Sequence, residues 1–296
     1  MFLSFFLVAL CDFCPRPPLP LTDHQGTHTL SQRVVITFLA DTMSIVNPPA
    51  IDSSSIHLAS RELCFLVRHP ESQSNVLYTE NKEDTSVLAQ MNQLGNADLT
   101  SLGKKQAWKT ARALSVAITA ESVGSVRICR SPMRRTGLLA TCTSNFLGSL
   151  GHQGGMEPRG VDIIPELVEY NPPAKVNDFP KDGSSDDFYG RVHDFYNDAF
   201  TKDREPEARV IIGHSLFLST LISIVTLHAL APLMTRDEVL HHLTTRTASV
   251  HDVVFHLPNC SVTTLQRHDG AWRILNVAST AHLPVDLVTG THCEFR

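Results

Sequence analysis

The chain has 296 residues, of which 42% are apolar and 19% are charged, so it can bury one sizeable core. Its formal net charge of -5 and its pI near 6.3 argue against nucleic acid or an anionic membrane as a partner, and local charges would have to hold any anionic ligand. The seven cysteines are scattered and odd in number, which favours a reduced interior and a cytoplasmic location.

Residues 1–60 lack the pattern of a folded domain. Residues 2–10 have the length of a signal-peptide core, but no basic residue precedes them, no clear cleavage site follows them, and they are too short to span a bilayer. Residues 15–60 are rich in Pro, Ser, Thr and His without periodicity, which predicts a poorly ordered extension. Three interpretations stay open: a gene-model artefact upstream of Met43, a weak secretory signal, or a genuine disordered tail. We expect the folded domain over residues 61–296.

From Arg61 onward, strand and helix patterns alternate at the spacing of a doubly wound α/β sheet. A polar stretch up to Ala97 predicts no element, and the four glycines between 148 and 155 predict a loop. The predicted strands cover 63–67, 126–129, 161–164 and 209–212, with a C-terminal hairpin over 260–265 and 272–275. The predicted helices cover 100–115, 133–147, 184–200, about 16 residues after His214, and 236–246.

An arginine and a histidine, Arg68 and His69, directly follow the first apolar strand. Ligands of an open α/β sheet bind beyond the carboxyl ends of its strands, so this pair would lie at the binding edge. A neutral imidazole is a nucleophile, and guanidinium groups beside it hold a phosphate while they keep the imidazole deprotonated. Phosphoryl transfer to His69 is therefore the first hypothesis, and the alternative is an ordinary strand end with solvated charges.

Later strand ends carry similar side chains. His214 follows an apolar strand in the same context as His69, which favours a shared site over a structural role for each. Glu166 and Glu169 follow the strand over 161–164. Because these strands are predicted to be parallel, their carboxyl ends would meet at one edge of the sheet.

Two arginines, Arg134 and Arg135, open the helix over 133–147. Successive helical residues point about 100° apart, so only one of the two can reach a site above the strand ends. Their alternative interpretation is a pair of solvated side chains.

Signals for cofactors and metals are missing from the sequence. Cys11 and Cys14 have no second pair to complete a zinc site, and the glycines between 148 and 155 do not follow G-x-G-x-x-G. Neither a Walker loop nor a G-x-S-x-G elbow is present. We therefore predict no cofactor and no metal.

Taken in order, these motifs resemble the histidine phosphatase superfamily, in the branch of cofactor-dependent phosphoglycerate mutases and broad-specificity phosphatases. The resemblance covers about residues 62–284, and the opening L-V-R-H-G-E-S-x-x-N of that family is present as LVRHPESQSN, with Pro70 in place of the glycine. Its L-T-x-x-G-x-x-Q-A, S-P-L-x-R, L-x-E and strand-G-H motifs match residues 99–107, 131–135, 167–169 and 213–214. The tail segments 259–263 and 280–283 also look like this branch.

The resemblance implies a three-layer α/β/α sandwich with a mostly parallel central sheet. In it, His69 would attack a phosphate in line and form a phosphohistidine that water hydrolyses. Glu169 would protonate the leaving alkoxide and later accept a proton from water, with Glu166 as the substitute if the register is shifted. His214 would be a charged stabiliser, and no metal would be required. The side chains implied to surround the phosphate are Arg68, Asn75, Arg135 and His214.

Three functions stay open: a phosphomonoesterase acting on a small or macromolecular substrate, a phosphoglycerate-type mutase, and a catalytically silent binding module of the same fold. None of the family's catalytic residues is missing, but Pro70 removes a backbone N–H and fixes φ near -65°, which supports the silent module. Mutases of the family resemble one another in carrying long insertions between the acid and the second histidine, whereas only 44 residues separate Glu169 from His214 here. We therefore predict a phosphatase. The sequence identifies neither the substrate nor the oligomeric state.

Overall fold

The computed structural model describes residues 62–80, 96–121, 123, 125–154, 157–169, 184–202, 207–246 and 255–290. The chain divides into two units, Met1–His57 and Leu58–Arg296, and all described residues belong to the second. The predicted extension over 1–60 lies outside the described residues, so that prediction stays open.

The described residues form one mixed sheet with helices around it. The strands are β1 Leu63–Arg68, β2 Ser125–Arg130, β3 Glu157–Ile163, β4 Ala208–Gly213, β5 Val262–His268 and β6 Ala271–Ser279. The α-helices are α1 Gln73–Glu80, α2 Ser101–Ala120, α3 Arg134–Gly154, α4 Ser185–Tyr196, α5 Ser215–Leu230 and α6 Arg236–Arg246. Single turns of 3-10 helix cover Pro165–Leu167 and Val285–Leu287, and a π-helical turn, Asn197–Thr201, continues α4.

The strand order of the sheet is β3-β2-β4-β1-β5-β6. The first four strands in that order are parallel, while β5 runs antiparallel to both β1 and β6. The predicted α/β class with a mostly parallel sheet is therefore confirmed. Asp269 and Gly270, with φ of 51° and 78°, form the turn between β5 and β6 that their Asp-Gly sequence predicts.

Two apolar layers enclose the sheet, because successive side chains of a strand point to opposite faces. Leu63, Phe65 and Val67 of β1 pack with α2 and α3 on one face. Cys64 and Leu66 pack on the other face, with α4, α5 and α6. Every residue of β1 and β4 is buried, as expected for central strands covered on both sides. The arrangement is the expected three-layer sandwich.

Two predictions about local structure were wrong. The polar stretch after His69 contains helix α1, which has only Val76 and Leu77 as aliphatic residues and therefore shows no apolar stripe. The glycines up to Gly154 continue α3 instead of forming a loop. Leu147 is completely buried, and its packing on the sheet compensates for the low helix propensity of the nearby glycines.

Among the described residues, no helix combines the length and the apolar character needed to cross a bilayer.

Candidate active site

The carboxyl ends of β1, β2 and β4 meet at one edge of the sheet. Arg68 pairs with Gly213, and Arg130 pairs with Ile212 in the parallel ladders. The next residue of each strand stays hydrogen-bonded across this edge, since the N–H of His69 donates to Gly213 O at 2.9 Å and that of Ser131 donates to Ile212 O at 3.0 Å. His69, Ser131 and His214 are thus side by side where the sheet ends.

His69 is buried and held in one tautomer. Its Nδ1 lies 2.7 Å from the carbonyl oxygen of Pro70. A carbonyl can only accept a hydrogen bond, so Nδ1 carries the proton and Nε2 carries the lone pair. The pKa of His69 is lowered well below its usual value of 6.5 by burial, and then by the positive charges of Arg135 and Arg68. The geometry and the charges together keep Nε2 of His69 unprotonated at neutral pH.

His214 is completely buried and its ring centroid is 5.1 Å from that of His69. Nε of Arg135 donates to its Nδ1 at 3.2 Å, so its proton is on Nε2, which lies 2.9 Å from the hydroxyl of Ser131. Burial is the main cause that lowers its pKa, followed by Arg135 and His69. His214 is therefore neutral here and orients Arg135, and its expected role as a charged stabiliser of a bound phosphate stays a prediction. A bound phosphate dianion would favour its protonated form.

The two successive arginines are divided between the site and the surface. Arg135 is 8% exposed and bonds to His214, whereas the side chain of Arg134 is 66% exposed and lies 3.6 Å from Asp98. This division is what the angle of about 100° between successive helical side chains requires.

Glu169 reaches the same edge from the segment that follows β3. One carboxylate oxygen accepts from the N–H of Leu216 at 2.8 Å, in the first turn of α5, and the other lies 3.8 Å from Nδ1 of His214. Its side chain is 17% exposed, so it has access to solvent from within the site. Glu166, in contrast, is exposed on the 3-10 turn.

Arg68 is anchored by a backbone carbonyl from a distant part of the chain, and Asn75 by Ser72 of its own loop. Nη1 of Arg68 donates to Leu257 O at 2.5 Å. The side-chain oxygen of Asn75 accepts from the backbone N–H and the hydroxyl of Ser72, at 3.0 and 2.9 Å. Because these bonds occupy the oxygen, the amide NH2 of Asn75 is the group that can donate to a phosphate.

Asn259 is a positioning residue that the sequence analysis did not identify. It is completely buried, and its Nδ2 donates to the carbonyl of His69 at 3.1 Å and lies 3.4 Å from Oδ1 of Asn75. It therefore connects the backbone of His69 to the side-chain amide of Asn75. Asn259 belongs to the tail motif over 259–263, but the motif does not indicate its partner. The difference in residue number between Asn259 and His69 is 190.

Gln106 and Gly103 of α2 hold the loop that follows His69. The amide of Gln106 accepts from the N–H of Glu71 at 2.7 Å and donates to Leu287 O at 2.8 Å, which connects that loop to the C-terminal segment. A Cβ on Gly103 would lie 2.0 Å from the carbonyl oxygen of Glu71, so only glycine fits there. These contacts give a physical reason for the glycine and glutamine of the second motif.

Arg191 of α4 holds the segment that carries Glu169. Its Nη1 donates to the carbonyls of Glu166 and Val168, at 2.5 and 3.0 Å. Its guanidinium lies 5.2 Å from the ring centroid of Phe188 and 5.9 Å from that of Phe217, which favours one fixed orientation. The sequence contained no signal for this role, because Arg191 contacts backbone atoms and belongs to no motif.

No group of three or more His, Cys, Asp or Glu side chains within the described ranges is arranged to hold a metal ion. The polar groups at the edge of the sheet are instead two imidazoles, two guanidinium groups, one amide and one carboxylate. The guanidinium and amide groups among them can donate hydrogen bonds to an anion with several oxygens, such as a phosphoryl group.

Comparisons with known proteins found no matching family model and no matching curated protein. Among solved structures, the chain is similar to phosphatases. Phosphoserine phosphatase from Entamoeba histolytica, in complex with 3-phosphoglyceric acid, is 17% identical, with 75% of this chain and all of that chain covered and a TM-score of 0.46. Mycobacterial glucosyl-3-phosphoglycerate phosphatase is 15% identical over 74% of this chain and all of its own, with a TM-score of 0.42. A protein named mycobacterial hydrolase 1 is 16% identical over 74% and 99% of the two chains, with a TM-score of 0.44.

Proposed function

We propose that this protein is a phosphomonoesterase that transfers a phosphoryl group first to His69 and then to water. The observation that carries the proposal is the hydrogen bond between Nδ1 of His69 and the carbonyl of Pro70, at 2.7 Å. It leaves the lone pair on Nε2, within a buried site that contains Arg68 and Arg135. A nucleophile in the correct tautomer beside two fixed cations is the basic requirement for phosphoryl transfer to histidine.

The first step forms the bond between Nε2 of His69 and phosphorus while the bond from phosphorus to the ester oxygen breaks. Glu169 donates a proton to the leaving oxygen, so the product leaves as an alcohol. In the second step, Glu169 accepts a proton from water as the water oxygen attacks phosphorus, and the bond to His69 breaks. Inorganic phosphate is released, and both His69 and Glu169 return to their starting states.

The phosphoryl oxygens carry the charge that has to be stabilised in both steps. Arg68 and Arg135 supply fixed positive charge, and Asn75 supplies amide donors whose direction is set by Ser72 and Asn259. His214 keeps Arg135 in place through Nδ1. We assign Glu169 and not Glu166 as the acid, because Glu169 lies 3.8 Å from His214 while Glu166 is exposed.

The proposal favours hydrolysis over a mutase reaction. A mutase must keep water away from the phosphoenzyme while its intermediate reorients, which requires a lid. Of the 44 residues between Glu169 and His214, those that the structure describes form α4, its π-helical continuation and β4. The test is to compare phosphate release with phosphoglycerate interconversion. Interconversion that is faster than phosphate release would reject the phosphatase in favour of the mutase.

The mechanism is tested by trapping the phosphoenzyme from a labelled monoester without acid and mapping the label. We expect the label on His69, and His69→Ala should abolish both turnover and the acid-labile intermediate. His214→Ala releases Arg135 and should slow formation of the intermediate without moving its position. Appreciable turnover by His69→Ala, or a label on His214, would contradict the mechanism.

A further inference from the structure

Helices α2 and α3 carry cations and no carboxylates. They are 20 and 21 residues long and contain four and two Lys or Arg residues respectively. Neither helix contains Asp or Glu, although the whole chain has 30 acidic residues. The two helices pack side by side on the same face of the sheet, where they form one outer layer of the domain. The chain as a whole has a net charge of -5, but the two helices of this layer have a positive net charge.

The exposed side chains of α2 form a stripe along the helix. They recur at intervals of three and four residues, which places them on one helical face. None of the four cations in this stripe makes an ion pair within the part of the chain that the structure describes. The residues that define this cationic stripe are Lys104, Lys105, Trp108, Lys109 and Arg112.

An exposed indole lies at the centre of the cationic stripe. Trp108 is 44% exposed, and Phe146 of α3 supports its ring from below in an edge-on contact at 5.6 Å between centroids. Nζ of Lys109 and the guanidinium carbon of Arg112 lie 5.6 and 5.9 Å from the centroid of the indole. Val116, farther along α2, is 60% exposed. The exposed face of α2 thus carries apolar and cationic side chains next to one another.

We propose that the cationic stripe of α2 docks on the surface of an anionic lipid bilayer. Tryptophan favours the boundary between headgroups and acyl chains, and each nearby Lys or Arg adds attraction to anionic lipid. A helical face is convex, so it offers no groove for a peptide, whereas a fluid headgroup layer conforms to it. This proposal replaces the expectation, based on net charge alone, that the protein has no membrane partner.

The test measures co-sedimentation of the full chain with vesicles of phosphatidylcholine, with and without phosphatidylserine. Residues 2–10 are apolar and could bind vesicles of any charge, so dependence on phosphatidylserine is the readout. Replacing both Lys105 and Lys109 by Gln should weaken binding about 30-fold, which converts about 1 kcal/mol for each cation at 1.4 kcal/mol per tenfold. The matched control replaces Lys202 and Arg273, two exposed cations outside α2 and α3, by Gln and should bind like the wild type.

Fluorescence supplies the second readout, because the two tryptophans are in different environments. Trp108 should shift to shorter wavelength on phosphatidylserine vesicles, and Trp108→Phe should remove the shift. Trp272 is 5% exposed and donates to Phe200 O at 2.9 Å, so its emission should stay constant.

Three results would overturn the proposal. The first is equal binding to vesicles with and without phosphatidylserine. The second is an equal loss in the two double variants, which would show an effect of net charge only. The third is binding to a soluble polyanion such as heparin without binding to vesicles, which would assign the stripe to an acidic macromolecule. None of these results bears on the phosphatase proposal.

Discussion

At the scale of single residues, the site is defined by hydrogen bonds that fix proton positions. His69 donates through Nδ1 to Pro70 O, and His214 accepts through Nδ1 from Arg135. The two neutral imidazoles therefore present different atoms to the site, and only His69 keeps the lone pair on Nε2. Chemically identical side chains acquire different roles because their partners differ.

Pro70 stands where the family that the sequence resembles has a glycine, and a proline is compatible with this arrangement. The interaction with His69 uses the carbonyl oxygen of Pro70, which proline retains, and Pro70 is not among the described residues with positive φ. We expect Pro70→Gly to change turnover only modestly and to lower stability by about 1 kcal/mol, because it increases the entropy of the unfolded chain. Steady-state kinetics and urea unfolding measure both effects. A gain in turnover of several orders of magnitude would show that the proline strongly reduces activity. It would then favour the hypothesis of a catalytically silent binding module.

Arg191 should affect the position of Glu169, the proposed acid, and not the groups proposed to bind phosphate. The reason is that Arg191 holds the backbone carbonyls of Glu166 and Val168. Arg191→Met should lower kcat about 10- to 100-fold for an alkyl phosphate, since a displacement of about 1 Å has effects of that size. The loss should be much smaller for p-nitrophenyl phosphate, whose leaving group needs little protonation.

The control for Arg191→Met is Arg134→Met, which removes an exposed arginine. It should leave kcat unchanged for both substrates. An equal loss on both substrates in Arg191→Met would contradict a role in positioning Glu169. It would instead indicate a general effect on phosphate binding or on the fold.

At the scale of secondary structure, two glycines in neighbouring helices differ in what surrounds them. A Cβ on Gly103 of α2 would lie 2.0 Å from the carbonyl oxygen of Glu71, whereas a Cβ on Gly148 of α3 would meet no atom within 4 Å. Gly103→Ala should therefore displace the loop after His69 and destabilise the protein by about 1–3 kcal/mol. Gly148→Ala should stabilise it by about 0.5–1 kcal/mol, through better helix propensity.

Urea unfolding and turnover of the two glycine variants test this contrast. Gly103→Ala should lose activity as well as stability, since the displaced loop carries the contacts of Glu71 with Gln106 and Thr100. Gly148→Ala should keep full activity. Similar stability changes of the same sign in both variants would show that the contact of Gly103 with Glu71 is unimportant.

The strands and the residues at their ends were predictable because buried strands are continuous apolar runs. Such runs end abruptly at Arg68 and at Gly213, so the following histidines were visible in the sequence. Helix α1 was not predictable from periodicity, because its sequence has no apolar residues at helical spacing. Asn259 and Arg191 act mainly on backbone carbonyls of distant segments, and no local pattern encodes such partners. The neutral state of His214 depends first on its burial and then on Arg135, and only the folded chain provides either of them.

At the scale of the whole molecule, positive charge is distributed unevenly over the described residues. Positive charge is buried at one edge of the sheet, as Arg68 and Arg135, and is exposed on α2 as the cationic stripe. The net charge of -5 predicts neither. An acidic protein can thus combine a buried cationic site with an exposed cationic face, since electrostatic interactions in salt solution are local.

Stability should depend on pH because the two buried histidines of the site are kept neutral. The pKa values of His69 and His214 are lowered well below 6.5 in the folded state, by burial first and then by Arg135. Below pH 6.5 the unfolded chain binds protons at these positions while the folded chain does not. The free energy of unfolding should therefore fall as the pH drops below 6.5, by up to about 1.4 kcal/mol per pH unit for each histidine.

Urea unfolding at several values between about pH 7.5 and 5.5 measures this slope. Above the unfolded-state pKa both states are neutral at these positions, so the two histidines should add no pH dependence there. His69→Asn and His214→Asn should each reduce the slope below pH 6.5, whatever they do to stability at neutral pH. His241→Asn replaces an exposed histidine on α6 and should leave the slope caused by the buried pair unchanged. Slopes that are identical in the wild type and in both site variants would mean that the two imidazoles are not held neutral by the fold, and the nucleophile would then need a base to remove its proton.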